Sequence, residues 1–424
     1  MKILHIIPSY LPAKLASGPI IPTQNLNKEL VKRGIEMVVY TTNLDDQEIL
    51  DVPLNQEVNI NGVKVFYFPI IFKSWQYSYK LHRALAKNIK DFDLIHITSV
   101  FLSVSTLGAY YAKKYKKPYI ISPHGSLMDE PLKHHSPKKW LYVSLFEKRN
   151  LKNASAIHFL IEQEKEDYLK TGLPLKRAII IPNSLDIEDY EIRNQYENTK
   201  LRKGFREKFG ISPDKKVILF LSRLNWIKGL DTLIPAFAGV IKKKPDCVLV
   251  LAGPDEKGYK KEIIKMIDEI NIETSDVLRT SDVQNINPHK SAEISINQCF
   301  NIIFTGMLIG EEKFAAFRES DVFVLPSYSE NFGNVVLEAM YFGLPVIITK
   351  YVGISPSIKK AGAGLVINKD EKQLAEAILK ILNNPDLAKK MGQKGKKLIE
   401  EEFTPEKIAP KWIEEYRNLI KNIN

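Results

Sequence analysis

The sequence predicts an α/β protein built from two doubly wound domains. Short apolar runs rich in β-branched residues alternate with longer amphipathic segments along the 424 residues. That alternation is typical of parallel sheets covered on both faces by helices. A polar, charged stretch at residues 183–203 separates two such series. Since one hydrophobic core stops growing at roughly 250–300 residues, we interpret this stretch as a linker between domains.

The two series set the predicted domain bounds. We expect a first domain over residues 1–188 and a second over residues 189–404. The Thr404-Pro405-Glu406 sequence is typical of a helix N-terminus, and it begins a last helix over residues 405–424. Residues at about 273–298 are polar, without clear period, and stand where a short connection would suffice, so we expect a surface insertion there.

Apolar runs of three to six residues, bounded by polar or turn residues, are predicted strands. In the first domain they are Ile3–Pro8, Met37–Thr42, Leu94–Thr98, Tyr119–Ser122, Ala156–Leu160 and Ala178–Pro182. In the second they are Val217–Leu221, Val248–Leu251, Ile302–Phe304, Val322–Leu325 and Val346–Ile348. The first crossover helix is expected over residues 22–33, because Leu26 and Leu30 lie one turn apart and Gly34 suits a helix end.

Composition excludes several classes of protein. At 44% hydrophobic and 26% charged residues, the chain is neither disordered nor of low complexity. Two cysteines are too few for a disulfide framework. No apolar run approaches the roughly 18–20 residues that cross a bilayer. We therefore expect a soluble, cytoplasmic protein whose membrane contact, if any, is peripheral and at the inner face of the membrane.

The positive charge is concentrated in the N-terminal part of the chain. Residues 1–160 carry 21 basic and 12 acidic side chains, out of 61 and 50 in the whole sequence. A predicted helix places Lys80, Arg83, Lys87 and Lys90 on one face, and further clusters lie at residues 113–117 and 133–139. Such surfaces attract anionic lipid headgroups at roughly 1 kcal/mol per cation. Solvated helix faces give the same pattern, so the sequence leaves both interpretations open.

Two glutamates flank the start of a helix in the second domain. Glu330 follows a predicted strand, and Glu338 lies further along the helix that begins at about Phe332. A helix N-terminus offers backbone N–H groups to a phosphate, and Gly333 permits close approach of the ligand. The flanking carboxylates could accept hydrogen bonds from hydroxyl groups on either side of that phosphate. A sugar nucleotide offers hydroxyl groups on both sides of its phosphates and would fit this pattern. The alternative stays open that Glu330 is an acid favoured by the helix dipole and Glu338 a solvated helical residue.

Two cations flank another turn of the second domain. Arg223 and Lys228 follow the strand that ends at Leu221. A guanidinium and an ammonium group at a strand's carboxyl end suit a diphosphate, since one is a planar fork and the other a compact charge. Ordinary solvated side chains remain the alternative for both residues.

Together these motifs resemble family 4 of the retaining glycosyltransferases, also called group 1. The spacing from Glu330 to Glu338 around Phe332-Gly333 is similar to that family's signature, and Ser222-Arg223 followed by Lys228-Gly229 is similar to its diphosphate motif. The resemblance covers nearly the whole chain. It implies the GT-B fold, in which two Rossmann-like domains face each other across a cleft and the C-terminal helix crosses back to the N-terminal domain.

The resemblance also implies roles for individual residues. Arg223 and Lys228 would bind the diphosphate, Glu330 the transferred sugar, and Glu338 the ribose. His124 would lie near the donor sugar, and Met307 near the base. Asn331, Phe332, Gly333 and Asn334 would form the turn that binds the substrate. Gly18, in the Ala16-Ser17-Gly18-Pro19 loop where relatives have two glycines, would allow the donor phosphate to approach.

The predicted activity is transfer of a sugar from a nucleoside-diphosphate sugar to a glycan or lipid-linked acceptor, with retention and without a metal or other cofactor. The resemblance implies the retention. The sequence shows neither an Asp-x-Asp motif nor histidines at metal-ligand spacing. Two alternatives stay open: a nucleotide-sugar epimerase of the same fold, and a basic nucleic-acid-binding protein. The epimerase would have no acceptor for the basic domain to bind, and no groove-reading motif supports the last.

Overall fold

In a computed structural model the chain forms two compact units, each with its own sheet. One unit comprises Met1–Asp186 and Glu402–Asn424, and the other comprises Ile187–Glu401. The boundary thus falls after Asp186, where the sequence placed it after residue 188. The structure describes residues 1–13, 18–128, 142–188, 190, 204–274, 295–297 and 301–422.

The first unit contains an eight-stranded sheet. Its strands are β1 (Lys2–Ile6), β2 (Glu36–Thr42), β5 (Glu57–Ile60), β6 (Val63–Phe68), β7 (Leu94–Thr98), β8 (Tyr119–Ser122), β9 (Ala156–Phe159) and β10 (Ala178–Ile180), and a separate hairpin is formed by β3 (Leu44–Asp45) and β4 (Glu48–Ile49). The order is β10-β9-β8-β7-β1-β2-β6-β5, and only β5 is antiparallel to its neighbour. The order of the strands along the chain reverses between β1 and β7, so the topological switch point of this sheet lies between these two parallel strands.

Helices cover both faces of this sheet. They are α1 (Ile20–Lys32), α2 (Tyr79–Asn88), α3 (Ser103–Lys114), α4 (Lys148–Asn153), α5 (Glu162–Lys170) and, from the end of the chain, Pro405–Lys421. The final helix buries Trp412 and Tyr416 in the same core cluster as Ile3 and Val39. Its apolar stripe therefore docks on the first unit, in agreement with the predicted return of the C-terminal helix.

The second unit contains a seven-stranded sheet. Its strands are β11 (Lys216–Leu221), β12 (Cys247–Ala252), β13 (Ser295–Asn297), β14 (Ile302–Gly306), β15 (Val322–Leu325), β16 (Val346–Thr349) and β17 (Gly364–Ile367). The order is β13-β14-β12-β11-β15-β16-β17, with only β13 antiparallel to its neighbour. After β11 the chain adds β12 and β14 on one side of that strand. It then returns to place β15, β16 and β17 on the other side. The switch point of this sheet thus lies between β11 and β15.

The remaining helices belong to the second unit. They are α6 (Gly204–Lys208), α7 (Leu230–Lys243), α8 (Tyr259–Thr274), α9 (Gly310–Arg318), α10 (Asn334–Tyr341), α11 (Ser355–Ala361), α12 (Glu371–Leu382) and α13 (Pro385–Glu402), so that Pro405–Lys421 is α14.

Some sequence predictions fall wholly or partly outside the described residues. In the predicted insertion, α8 runs to Thr274 and β13 adds an edge strand, while residues 275–294 and 298–300 are not described. The basic cluster at residues 133–139 and the loop residue Ser17 also lie outside the described ranges.

Candidate active site

Lys228 and Glu330 meet at the switch point of the second sheet. Lys228 ends a 3-10 turn, Trp226–Lys228, that follows β11, and Glu330 follows β15. The lysine Nζ donates to a carboxylate oxygen of Glu330. The lysine side chain is 9% exposed and that of the glutamate 21%. Ligands of doubly wound sheets bind at such switch points, so the pair lies where a substrate is expected.

The loops that carry this pair are held together by their backbones. A Cβ on Gly229 would lie 2.0 Å from the carbonyl oxygen of Pro326, so only glycine permits this close packing. The Tyr328 amide donates to the carbonyl oxygen of Ile227 at 2.8 Å. The lysine loop is thereby fixed against the loop of its carboxylate partner.

The turn between Glu330 and α10 has a left-handed glycine at the N-cap. Gly333 has φ of +91°, and a Cβ there would lie 2.9 Å from Cγ1 of Val352. The helix begins at Asn334, slightly later than the sequence indicated. Asn331 and Phe332, which precede the cap, interact with other protein groups, as does Asn334. This N-terminus therefore stands beside the switch point, the position at which a phosphate would be favoured.

Glu338 is a buried carboxylate with two protein partners. Its Oε2 lies 2.6 Å from Nζ of Lys313, and its Oε1 accepts from the Tyr190 hydroxyl at 2.7 Å. Sequence reasoning found neither partner, because they lie 25 and 148 residues away along the chain. A carboxylate has about four lone-pair sites, so acceptor capacity remains for the hydroxyl groups of a ligand.

Arg223 has a separate partner. Its Nη1 lies 2.6 Å from Oε2 of Glu256, and the arginine side chain is 60% exposed. Sequence reasoning missed this acid, which belongs to the loop after β12. Exposed ion pairs contribute only about 0–1 kcal/mol, so this contact does not commit the guanidinium to Glu256.

Met307 stands at the end of a neighbouring strand. It is half-buried and directly follows β14. The Gly253 amide donates to the Gly306 carbonyl oxygen at 2.8 Å, which ties the ends of β12 and β14 together. The predicted site residues of this unit thus come from the carboxyl ends of β11, β14 and β15 and from α10.

His124 follows β8 in the first unit and adopts a left-handed backbone conformation, with φ of +49°. The side chain is half-buried, and its ring centroid lies 6.1 Å from that of His158. Burial, with smaller contributions from His158 and His5, lowers the pKa of His124 to about 3. The neutral imidazole can donate at one nitrogen and accept at the other.

Gly18 precedes α1 and is exposed. A Cβ built on it would meet no atom within 4 Å, so protein packing does not require glycine at this position. This is compatible with the predicted approach of a ligand to the backbone.

A histidine cluster that sequence reasoning did not find lies beneath His124. His5 and His96 face each other across β1 and β7, and their rings stack with centroids 4.3 Å apart. With His158 they border a cavity of about 20 Å³, room for roughly one water molecule. The three histidines belong to β1, β7 and β9, which only tertiary folding brings together in one sheet.

Burial keeps these imidazoles neutral. It lowers the pKa of His5 to about 4 and that of His158 to about 4, and it holds the pKa of His96 well below its ordinary value. Among the residues that the structure describes, no group of three or more His, Cys, Asp or Glu side chains could hold a metal ion. No helix in the same part of the chain is long and apolar enough to cross a membrane.

Two family models match the chain, one in each half. Residues 23–189 match the model described as glycosyltransferase family 4, and residues 215–384 match that of the group 1 glycosyl transferases. The chain belongs to this family and is a glycosyltransferase. The resemblance noted from the motifs is thereby confirmed.

Curated relatives span most of the chain. An uncharacterized glycosyltransferase of Methanocaldococcus jannaschii is 23% identical over 98% of both chains. The alpha-monoglucosyldiacylglycerol synthase of Streptococcus pneumoniae is 25% identical over 91% of this chain and 80% of its own.

Solved structures show the same fold. Sucrose-phosphate synthase from Thermosynechococcus elongatus superposes with a TM-score of 0.70 at 21% identity, over 99% of both chains. Anabaena HepE, in complex with UDP and glucose, superposes with a TM-score of 0.67 at 17% identity, over 99% of this chain and all of its own. The predicted GT-B fold class, with two Rossmann-like sheets, is therefore confirmed.

Proposed function

We propose that this glycosyltransferase moves a sugar from a nucleoside-diphosphate sugar to a glycan or lipid-linked acceptor, with retention and without a metal, in cell-envelope polysaccharide synthesis. The observation that carries the proposal is the contact of Lys228 with Glu330 at the switch point. It places a shielded cation beside a carboxylate where the sheet topology favours a ligand. The HepE structures in complex with UDP and with UDP-glucose support a nucleotide-sugar donor.

Each donor part has a proposed partner. Lys228, Arg223 and the turn at Asn331–Asn334 bind the diphosphate, while Glu338 accepts from the ribose hydroxyls. Glu330 binds hydroxyls of the transferred sugar. In the structure its carboxylate contacts Lys228, and that contact orients the ammonium group before the donor arrives.

The proposed transfer breaks the bond between the anomeric carbon and the diphosphate oxygen. The acceptor hydroxyl oxygen forms the new bond on the same face of the sugar, and its proton passes to the departing diphosphate. Negative charge therefore develops on the leaving group, where Lys228 and Arg223 stabilise it. The positive charge of these side chains stabilises the leaving group, as a metal ion does in other transferases.

A donor screen tests this proposal. Parent protein is incubated with a panel of sugar nucleotides in EDTA, and release of the nucleoside diphosphate is measured with and without candidate acceptors. We expect one donor class to be consumed and the product to keep the donor's anomeric configuration by NMR. Epimerised donor without transfer would support the epimerase instead. An inverted product would contradict retention, and activity restored only by added metal would contradict metal independence.

An anionic membrane surface is the proposed location of the acceptor. The first unit exposes Phe72 and Trp75 at 62% and 64%, beside the N-terminus of α2. On that helix Leu81 and Leu85 are buried, and the basic residues point outward, as the sequence predicted. Four exposed cations lie on this helix and on the turn that follows it: Lys80, Arg83, Lys87 and Lys90. Aromatic rings beside cations suit the interface of an anionic bilayer.

Vesicle sedimentation tests the membrane partner. Parent protein should bind phosphatidylglycerol vesicles at least 10-fold more tightly than phosphatidylcholine vesicles. Charge reversal of the four cations to Glu should abolish that preference and leave donor hydrolysis unchanged. Charge reversal of Lys389 and Lys390, exposed on α13, is the matched control. Equal binding by the α2 variant would contradict the proposal, and tighter binding to RNA than to vesicles would favour the nucleic-acid alternative.

A further inference from the structure

We infer that Glu164 is a positioning residue for His124, an inference that rests on the proposed function and on the role at the donor sugar that the family resemblance implies for His124. Glu164 lies in the first turn of α5, after β9, and its residue is 1% exposed. The histidine lies in the loop after β8, the neighbouring strand. The carboxylate connects these two strand ends.

Within the part of the chain that the structure describes, both oxygens of the carboxylate accept backbone hydrogen bonds. Oε2 accepts from the Leu160 amide at 2.7 Å, a contact near the start of the glutamate's own helix. Oε1 accepts from the Gly125 amide, 39 residues away along the chain, also at 2.7 Å. The bond to Leu160 stays with the segment that leads into α5, whereas the bond to Gly125 joins that segment to the loop of His124.

The Gly125 bond acts on the histidine through one peptide plane. The amide of Gly125 belongs to the peptide group that joins it to His124, so fixing that amide fixes the backbone of the histidine. A left-handed conformation is unfavourable for a residue with a Cβ and persists where the surroundings enforce it. The bond between the buried Glu164 side chain and the Gly125 amide is a restraint of this kind. The backbone that carries the imidazole is thereby held in one conformation.

Glu164→Gln tests the inference because a side-chain amide keeps only one acceptor oxygen. We expect kcat to fall about 10–100-fold with the donor KM changed less than threefold. His124→Ala should lower kcat by at least as much, and the double variant should be no slower than His124→Ala alone. Multiplication of the two effects in the double variant would overturn the inference.

A matched control separates positioning from general stability. Glu147 is also 1% exposed and accepts from the Phe101 amide at 2.8 Å and from Asn150, in the same unit. Glu147→Gln should lower Tm by a similar amount and leave kcat within about twofold. If Glu164→Gln does not fold, Glu164→Asp is used, because the shorter side chain can keep the bond to the nearby Leu160 amide and lose the bond to Gly125.

The outcomes distinguish this inference from the proposed function. Loss of activity in His124→Ala with full activity in a folded Glu164 variant overturns the positioning role and leaves the function standing. Full activity in His124→Ala overturns the proposed role of that histidine and the inference with it. Should both Glu164 variants unfold, amide exchange in the parent protein decides: slow exchange at Gly125 supports the restraint, and exchange at the rate of an open loop overturns it.

Discussion

Nε2 of His158 lies 2.8 Å from the carbonyl oxygen of Ile181, and this contact sets the direction of a chain of hydrogen bonds. A carbonyl oxygen only accepts, so Nε2 carries the hydrogen, and Nδ1 of the neutral ring accepts. The Ser122 hydroxyl, 2.9 Å from Nδ1, therefore donates to it and accepts from Nε2 of His96 at 2.7 Å. Nδ1 of His96 is left to accept from the Tyr416 hydroxyl at 2.7 Å.

Removing the Tyr416 hydroxyl, the first donor in this series of hydrogen bonds, should destabilise the first unit. Tyr416→Phe deletes the donor and leaves Nδ1 of His96 buried without it, which costs roughly 1–3 kcal/mol in the free energy of unfolding. Ser122→Ala interrupts the same chain, so the double variant should lose less than the two single losses combined. Urea unfolding gives the free energy of unfolding of the two single variants and of the double variant. Strict additivity would show that the four groups do not act as one chain.

Stability should fall as pH decreases from about 6.5 toward 4. The folded-state pKa values of His5 and His158 are lowered to about 4, so the unfolded chain binds more protons in this window. Each such group contributes about 2 kcal/mol between pH 6.5 and 5, at 1.36 kcal/mol per unit of pH. The contribution is complete above pH 6.5 and lost as pH falls to the folded pKa. Urea midpoints measured at intervals across that window should decrease, and a constant midpoint down to pH 5 would contradict burial of neutral histidines.

Nucleotide binding should depend on Glu338. Glu338→Ala removes the acceptor proposed for the ribose hydroxyls, and we expect the Kd for the donor nucleotide to rise about 10-fold or more, in line with roughly 1.5–3 kcal/mol for a bond to a charged group. Calorimetric titration of the donor nucleotide measures this Kd. Tyr190→Phe is the control, since it removes a protein partner of the same carboxylate and keeps the acceptor. An unchanged Kd in the folded alanine variant would rule out the ribose role.

Much of the fold could be predicted because buried parallel strands are continuous apolar runs. Strand β7 at Leu94–Thr98 and strand β15 at Val322–Leu325 have the predicted bounds. Strands nearer the edges were missed: β5 at Glu57–Ile60 alternates exposed and half-buried residues, and Gly364–Ile367 is half-buried throughout. Such strands lack a continuous apolar run, so the sequence pattern could not indicate them.

The site was predicted less completely than the fold. The positions of Arg223, Lys228 and Glu330 after their strands could be predicted, because motif spacing fixes where a side chain leaves a strand. The protein groups that contact the site residues could not be predicted. Lys313 and Glu256 reach the site only through tertiary folding, and no local pattern indicates which acid and base will meet. The histidine cluster was missed for the same reason.

The transfer rate of Lys228→Ala in EDTA directly tests whether this lysine acts on the leaving group. If the lysine at the switch point stabilises the departing diphosphate, kcat should fall by about 10²–10³, the usual effect of losing one partner of transition-state charge, with the fold retained. Lys228→Arg, which keeps a cation with different geometry, should recover part of the rate. An unchanged kcat in Lys228→Ala would show that Lys228 does not stabilise the departing diphosphate.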